Sequence, residues 1–139
     1  MSPARAILPL LLAAPLLACV HPGYHVGVMA RLDRQGRYGE ALERALRVEP
    51  HVPEMPLEKQ AHYCIYRGAA HLGLGQIPDA QFWLHRALQY RTSYPGLITV
   101  EHGMVLEQGL AQLQAYAVPV APPPPAGAAA PPPVVSPGP

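Results

Sequence analysis

The chain has little excess charge, almost no cysteine and no hydrophobic run long enough to cross a bilayer, and each shortage narrows what it can do. Ten Lys and Arg stand against nine Asp and Glu among 139 residues. Beyond Ala18 the basic residues Arg31, Arg34, Arg37, Arg44, Arg47, Lys59, Arg67, Arg86 and Arg91 meet nine acids, so no net charge remains. Nucleic acid is thereby excluded as the main partner, because its binding needs clustered positive charge to displace counterions from phosphates. The apolar run at residues 6–17 is shorter than the roughly 20 residues of a spanning helix, and Pro9 and Pro15 interrupt it. Strand-like alternation is missing, as are a serine nucleophile motif, a phosphate-cradling glycine loop and a supported carboxylate pair.

Seven histidines are present, yet none falls into a ligand set. Metal sites show ligands at tight spacing, and the closest approaches are Glu58 with His62 and His62 with Cys64. One turn separates the first pair, the arrangement of an ordinary helix-surface pair, whereas the second pair points in different directions. Cys64 reads as a small apolar core residue. No catalytic residue, metal or cofactor is therefore expected, and the protein reads as a non-enzyme.

What is present begins at the amino terminus. Arg5, the apolar run and small Ala18 form the pattern of a secretory signal peptide over residues 1–18. Leu16-Leu17-Ala18-Cys19 resembles the lipobox of bacterial lipoproteins. That resemblance implies acylation of Cys19, a mature chain starting there, and a lipidated tether over residues 19–23. An ordinary cleaved signal with an incidental cysteine is the alternative; either way the chain leaves the cytoplasm. Val20 after the cysteine, in place of aspartate, resembles outer-membrane delivery, so the expected location is the envelope, lipid-anchored and facing the periplasm. Lipidation would leave Cys64 without a disulfide partner, and stability must come from packing.

The opposite end changes composition at about residue 118. Residues 118–139 are Pro, Ala, Gly and Val with a single serine, which favours a solvated, disordered polyproline-like tail extending about 3.1 Å per residue. Folding is thus confined to residues 24–117, enough for one small domain.

Inside that window helical periodicity dominates, and the expected class is all-α. Val28 and Leu32, then Leu42 and Leu46, flank the turn Arg34-Gln35-Gly36. Pro50, Pro53 and Pro56 mark a loop. Leu57 restarts a helical row at Ala61, Cys64, Ile65, Gly68 and Leu72, ended by Gly73 and Gly75. Pro78 opens the next helix, which carries Ala80, Trp83, Leu84, Ala87 and Leu88 on one face until Pro95-Gly96. A last helix over residues 97–116 presents Leu97, Val100, Met104, Leu106, Leu110 and Leu113. Residues 61–94 resemble a tetratricopeptide repeat (TPR): Gly68 stands at the small position of its first helix, Gly75 at the turn, and Ala80, Leu84 and Ala87 where the helices cross. The implied fold is a short TPR-like array of α-hairpins with a closing helix.

The resemblance also implies a groove lined by the first helix of each pair. Tyr63, Tyr66 and Arg67, followed by Tyr90 and Arg91, are the expected partner-binding groove residues, since amphipathic rings beside guanidinium groups suit protein interfaces. The expected function is a membrane-anchored adaptor or assembly factor that holds an envelope protein or peptide segment. The alternative is a structural envelope lipoprotein making its contact through the Pro-rich tail.

Overall fold

Apolar residues recurring every third or fourth position become five α-helices in the computed structural model, which describes residues 21–117. The expected signal peptide, Cys19 and residues 118–139 lie outside the described residues. In chain order the helices are α1 (Pro22–Arg34), α2 (Tyr38–Val48), α3 (Leu57–Gly73), α4 (Ile77–Ser93) and α5 (Val100–Ala117). A 3₁₀ segment, Glu49–Glu54, follows α2. No strand occurs among the described residues, so the class is all-α. None of these helices is long and apolar enough to cross a membrane.

Two of the connections share one geometry. Gly36 and Gly75 adopt φ of 68° and 72°, a left-handed backbone that glycine reaches without a Cβ penalty. The Arg37 N–H bonds back to the Leu32 carbonyl and the Gly36 N–H to Asp33; Gln76 to His71 and Gly75 to Leu72 repeat the pattern. Both are Schellman caps, which satisfy the orphan carbonyls ending α1 and α3 and reverse the chain into α2 and α4.

The boundaries depart from expectation at three points. Helix α1 starts at Pro22 rather than residue 24, with proline in the first turn, where no N–H is required, and His21 Nδ1 accepting from the Gly23 N–H at 3.2 Å. Two residues assigned to the tether are therefore helical. The expected proline loop is instead mostly the 3₁₀ segment, for Pro50 sits near its start, where a missing donor costs nothing. Helix α5 begins at Val100, after a turn in which Gly96 takes φ 86°.

Packing centres on α3, which contacts α1, α2, α4, α5 and the 3₁₀ segment. From Ala61 to Gly68 every residue is buried. The α3–α4 crossing is close because Gly68 lacks a side chain: a Cβ there would lie 2.7 Å from Leu84 Cγ and 3.1 Å from the Leu84 backbone nitrogen. Gly109 of α5 admits the same leucine from the other side, its Cβ position being 2.9 Å from Leu84 Cδ1. Leu84 is fully buried between them, removing about 2 kcal/mol worth of apolar surface from water. Not every expected core position is inside. Val100 is 83% exposed and Met104 68%, because α5 turns Leu106, Gly109 and Leu113 inward; Leu46 is also exposed, since α2 buries Ala41, Ala45 and Val48.

Candidate protein-contact site

The five expected groove residues do not share a surface. Tyr63, Tyr66 and Arg67 are buried, and enclosure of α3 by its neighbours leaves no open groove along it. This corrects the expectation that Tyr66 and Arg67 are available to a partner, while Tyr63 is reached only as the floor of a cleft beside α4. Most of their polar atoms are engaged internally, as burial requires, while Arg67 Nε finds no partner. The Tyr63 hydroxyl donates to the Ala45 carbonyl at 3.2 Å and accepts from Arg67 Nη1 at 2.6 Å. Arg67 Nη1 also meets Glu49 Oε1 at 2.8 Å, and its guanidinium lies 4.1 Å from the Trp83 ring centroid. One side chain thus ties α3 to the end of α2 and to α4, with hydrogen bonding, ion pairing and a cation–π contact converging on it. The Tyr66 hydroxyl shares a 2.6 Å hydrogen bond with His102 Nδ1 on α5. Burial pushes both tyrosines up to about 12, so they stay neutral.

Tyr90 and Arg91 lie at the edges of the core. Tyr90 donates to Gln60 Oε1 at 3.0 Å, and Gln60 in turn donates to the Met55 carbonyl at 2.8 Å. Arg91 pairs with Glu107 of α5. Of the two, only Tyr90 borders a concavity.

That concavity is a cleft of about 190 Å³ between the 3₁₀ segment and α4. Glu49, whose carboxylate is paired with Arg67, Val52 and Pro53 form one wall, Trp83, Arg86 and Tyr90 the other, and Tyr63 and Cys64 its floor. Edge-to-face contact of Trp83 with Tyr63, at 5.7 Å between centroids, and the guanidinium of Arg67 fix the indole. Beside the cleft, the outer side of α4 exposes Phe82 and Tyr94 with Arg86 and Gln89 between them. Burial pushes the Cys64 thiol up to about 11, well away from the thiolate character that nucleophilic chemistry needs.

A second polar cluster occupies the α3–α5 seam. His62 is almost fully buried with its ring centroid 3.8 Å from that of His102; its Nδ1 is 3.8 Å from Glu58 Oε1, and its Nε2 has no partner. Burial, reinforced by His102, pushes His62 down to about 4 and keeps it neutral. His102 is also lowered, chiefly by burial. Among the described residues no three His, Cys, Asp or Glu side chains gather in a group able to hold a metal ion.

Of the surface on α4, only Tyr90 was anticipated as a site residue, while Phe82, Trp83 and Arg86 were not. Trp83 and Leu88 share the apolar row assigned to the core, and nothing local separates a ring that is covered from one left half-open. A seven-residue spacing from Trp83 to Tyr90, two turns along one face, is the signal that could have marked it. Comparison with known proteins finds no match among family models, curated proteins or solved structures.

Proposed function

We propose that this chain is a lipid-anchored, non-catalytic protein-binding adaptor or assembly factor of the bacterial envelope, with its contact surface on α4. The observation that carries the reading is the concentration of Phe82, Trp83, Arg86 and Tyr90 on α4, with Tyr94 at its C-cap, beside a cleft. Aromatic rings and arginine are the side chains enriched at protein interfaces and at their energetic centres. The lipobox-like Leu16-Leu17-Ala18-Cys19 supports anchoring, and the TPR-like turn and crossing residues support a binding rather than a chemical role. Partner capture falls to α4 because the α3 rings are committed to the interior.

The test places a photo-crosslinking residue at position 86 and, separately, at Arg47 on α2, in cells making the full chain. A discrete envelope-protein adduct is expected at 86, absent at 47, and lost from position 86 when Phe82→Ala and Tyr94→Ala are combined in a chain of unchanged helicity. Equal adducts at both positions, or persistence in the double variant, would refute the α4 surface.

A further inference from the structure

We infer that the cleft between the 3₁₀ segment and α4 accepts a polyproline II segment, and that its occupant is this protein's own residues 118–139. The inference rests on the reading of α4 as a protein-contact surface and names the chemistry of what lies there. Trp83 and Tyr90 are both cleft-lining and seven residues apart on one helix, a rise of about 10.5 Å. A polyproline II helix returns to the same face every three residues, about 9.3 Å. Prolines three apart, such as Pro122 and Pro125, match that interval. Val52 and Pro53 close the opposite wall, so a proline ring entering between them and the aromatic side is covered on two sides.

Polar complementarity points the same way. A proline run offers carbonyl oxygens and no N–H donors, so its receptor must supply donors. Arg86 stands between Trp83 and Tyr90 on the cleft wall, is exposed, and makes no ion pair among the described residues. The segment 118–139 has ten prolines and no charged side chain, so it brings carbonyls without a competing cation.

Connectivity selects the occupant. Helix α5 ends at Ala117, and the 22 residues beyond it reach about 68 Å when extended as polyproline II. The 17 residues of α4 measure about 25 Å; residues 118–125 extend about as far, and the run Pro131–Pro133 lies beyond about 40 Å along the segment. A tethered ligand experiences an effective concentration of about 1 mM, so even a dissociation constant of about 0.1 mM fills roughly nine-tenths of the clefts. Any outside proline-rich ligand competes against that occupancy.

Trp83 is the only tryptophan, so its emission reports this cleft alone. The experiment compares the full mature chain with one ending at Ala117, after circular dichroism shows equal helicity. Truncation is expected to shift the emission to longer wavelength and increase acrylamide quenching. A synthetic peptide of residues 118–139 then reverses both saturably, half-saturating near 0.1 mM, and Arg86→Ala weakens that binding several-fold. Identical emission and quenching in the two chains, with no response to peptide, overturns the inference. A difference that disappears on dilution of the full chain overturns it too, by assigning the segment to a second copy. Should emission be unchanged while position 86 still crosslinks an envelope protein, the docking inference alone falls. Loss of the crosslink with the fluorescence result intact removes the adaptor reading instead.

Discussion

His62 carries an imidazole into the interior without giving both nitrogens a partner, and that has a pH signature. In the unfolded chain the ring takes a proton near pH 6.5, whereas the folded chain refuses it until about pH 4. A folded value below the unfolded one means stability is complete above pH 6.5, falls as pH drops from 6.5 to 4, and levels off below. The full loss is about 3 kcal/mol. His102, Glu58 and Lys59 face the same ring; Glu58 opposes the shift while the other two deepen it. Urea midpoints measured from pH 7.5 to 4 should trace this slope, and His62→Leu should reduce it, leaving the smaller part due to His102, without destabilising the protein at pH 7.5. A variant slope equal to that of the parent would show that His62 is not the titrating group. Arg67 presents the same economy from the other side: its charge is kept inside because Glu49, Tyr63 and Trp83 surround it.

Among the helices, the α3–α4 crossing depends on the absence of a single methyl group. Gly68→Ala sets a Cβ against both side chain and backbone of Leu84, and overpacking of this kind costs about 1–3 kcal/mol. Gly75→Ala meets open space, so its penalty is only the left-handed backbone, about 1 kcal/mol. Chemical denaturation should rank Gly68→Ala as the more damaging; the reverse order would mean that the turn, not the crossing, limits the hairpin. These same elements were the most legible in the sequence. Helices α3 and α4 announced themselves through apolar rows, the Gly75 turn and the first-turn Pro78, all local signals. The site was far less legible. Tyr63, Tyr66 and Arg67 have the composition of an interface, and what buries them is distant in sequence: Glu49 and Ala45 from one side, Trp83 and His102 from the other. A side chain's own period reveals its face on a helix but not whether that helix is enclosed on every face. The same limit explains Val100 and Met104, which satisfy an apolar pattern that α5 does not use for packing.

For the whole molecule, the proposed anchor makes the simplest demand. Cys19→Ala should abolish incorporation of labelled fatty acid and block normal processing, while Cys64→Ala should leave both intact; labelling that survives in Cys19→Ala would remove the anchor. The central place of α3 bears on how such a chain becomes folded at all. Among the described residues, the segment through residue 56 contains two α-helices, of 13 and 11 residues, and the short 3₁₀ segment, lengths at which isolated helices are marginal in water. Their apolar faces close on α3, and α3 in turn requires α4 and α5. If the proposed export holds, a chain emerging amino terminus first can pair α1 only with α2 until its middle helix arrives, and has no finished domain until residue 113 has cleared. On that proposal, the order of the helices leaves only a marginal two-helix hairpin during most of the passage and defers completion of the core to the far side.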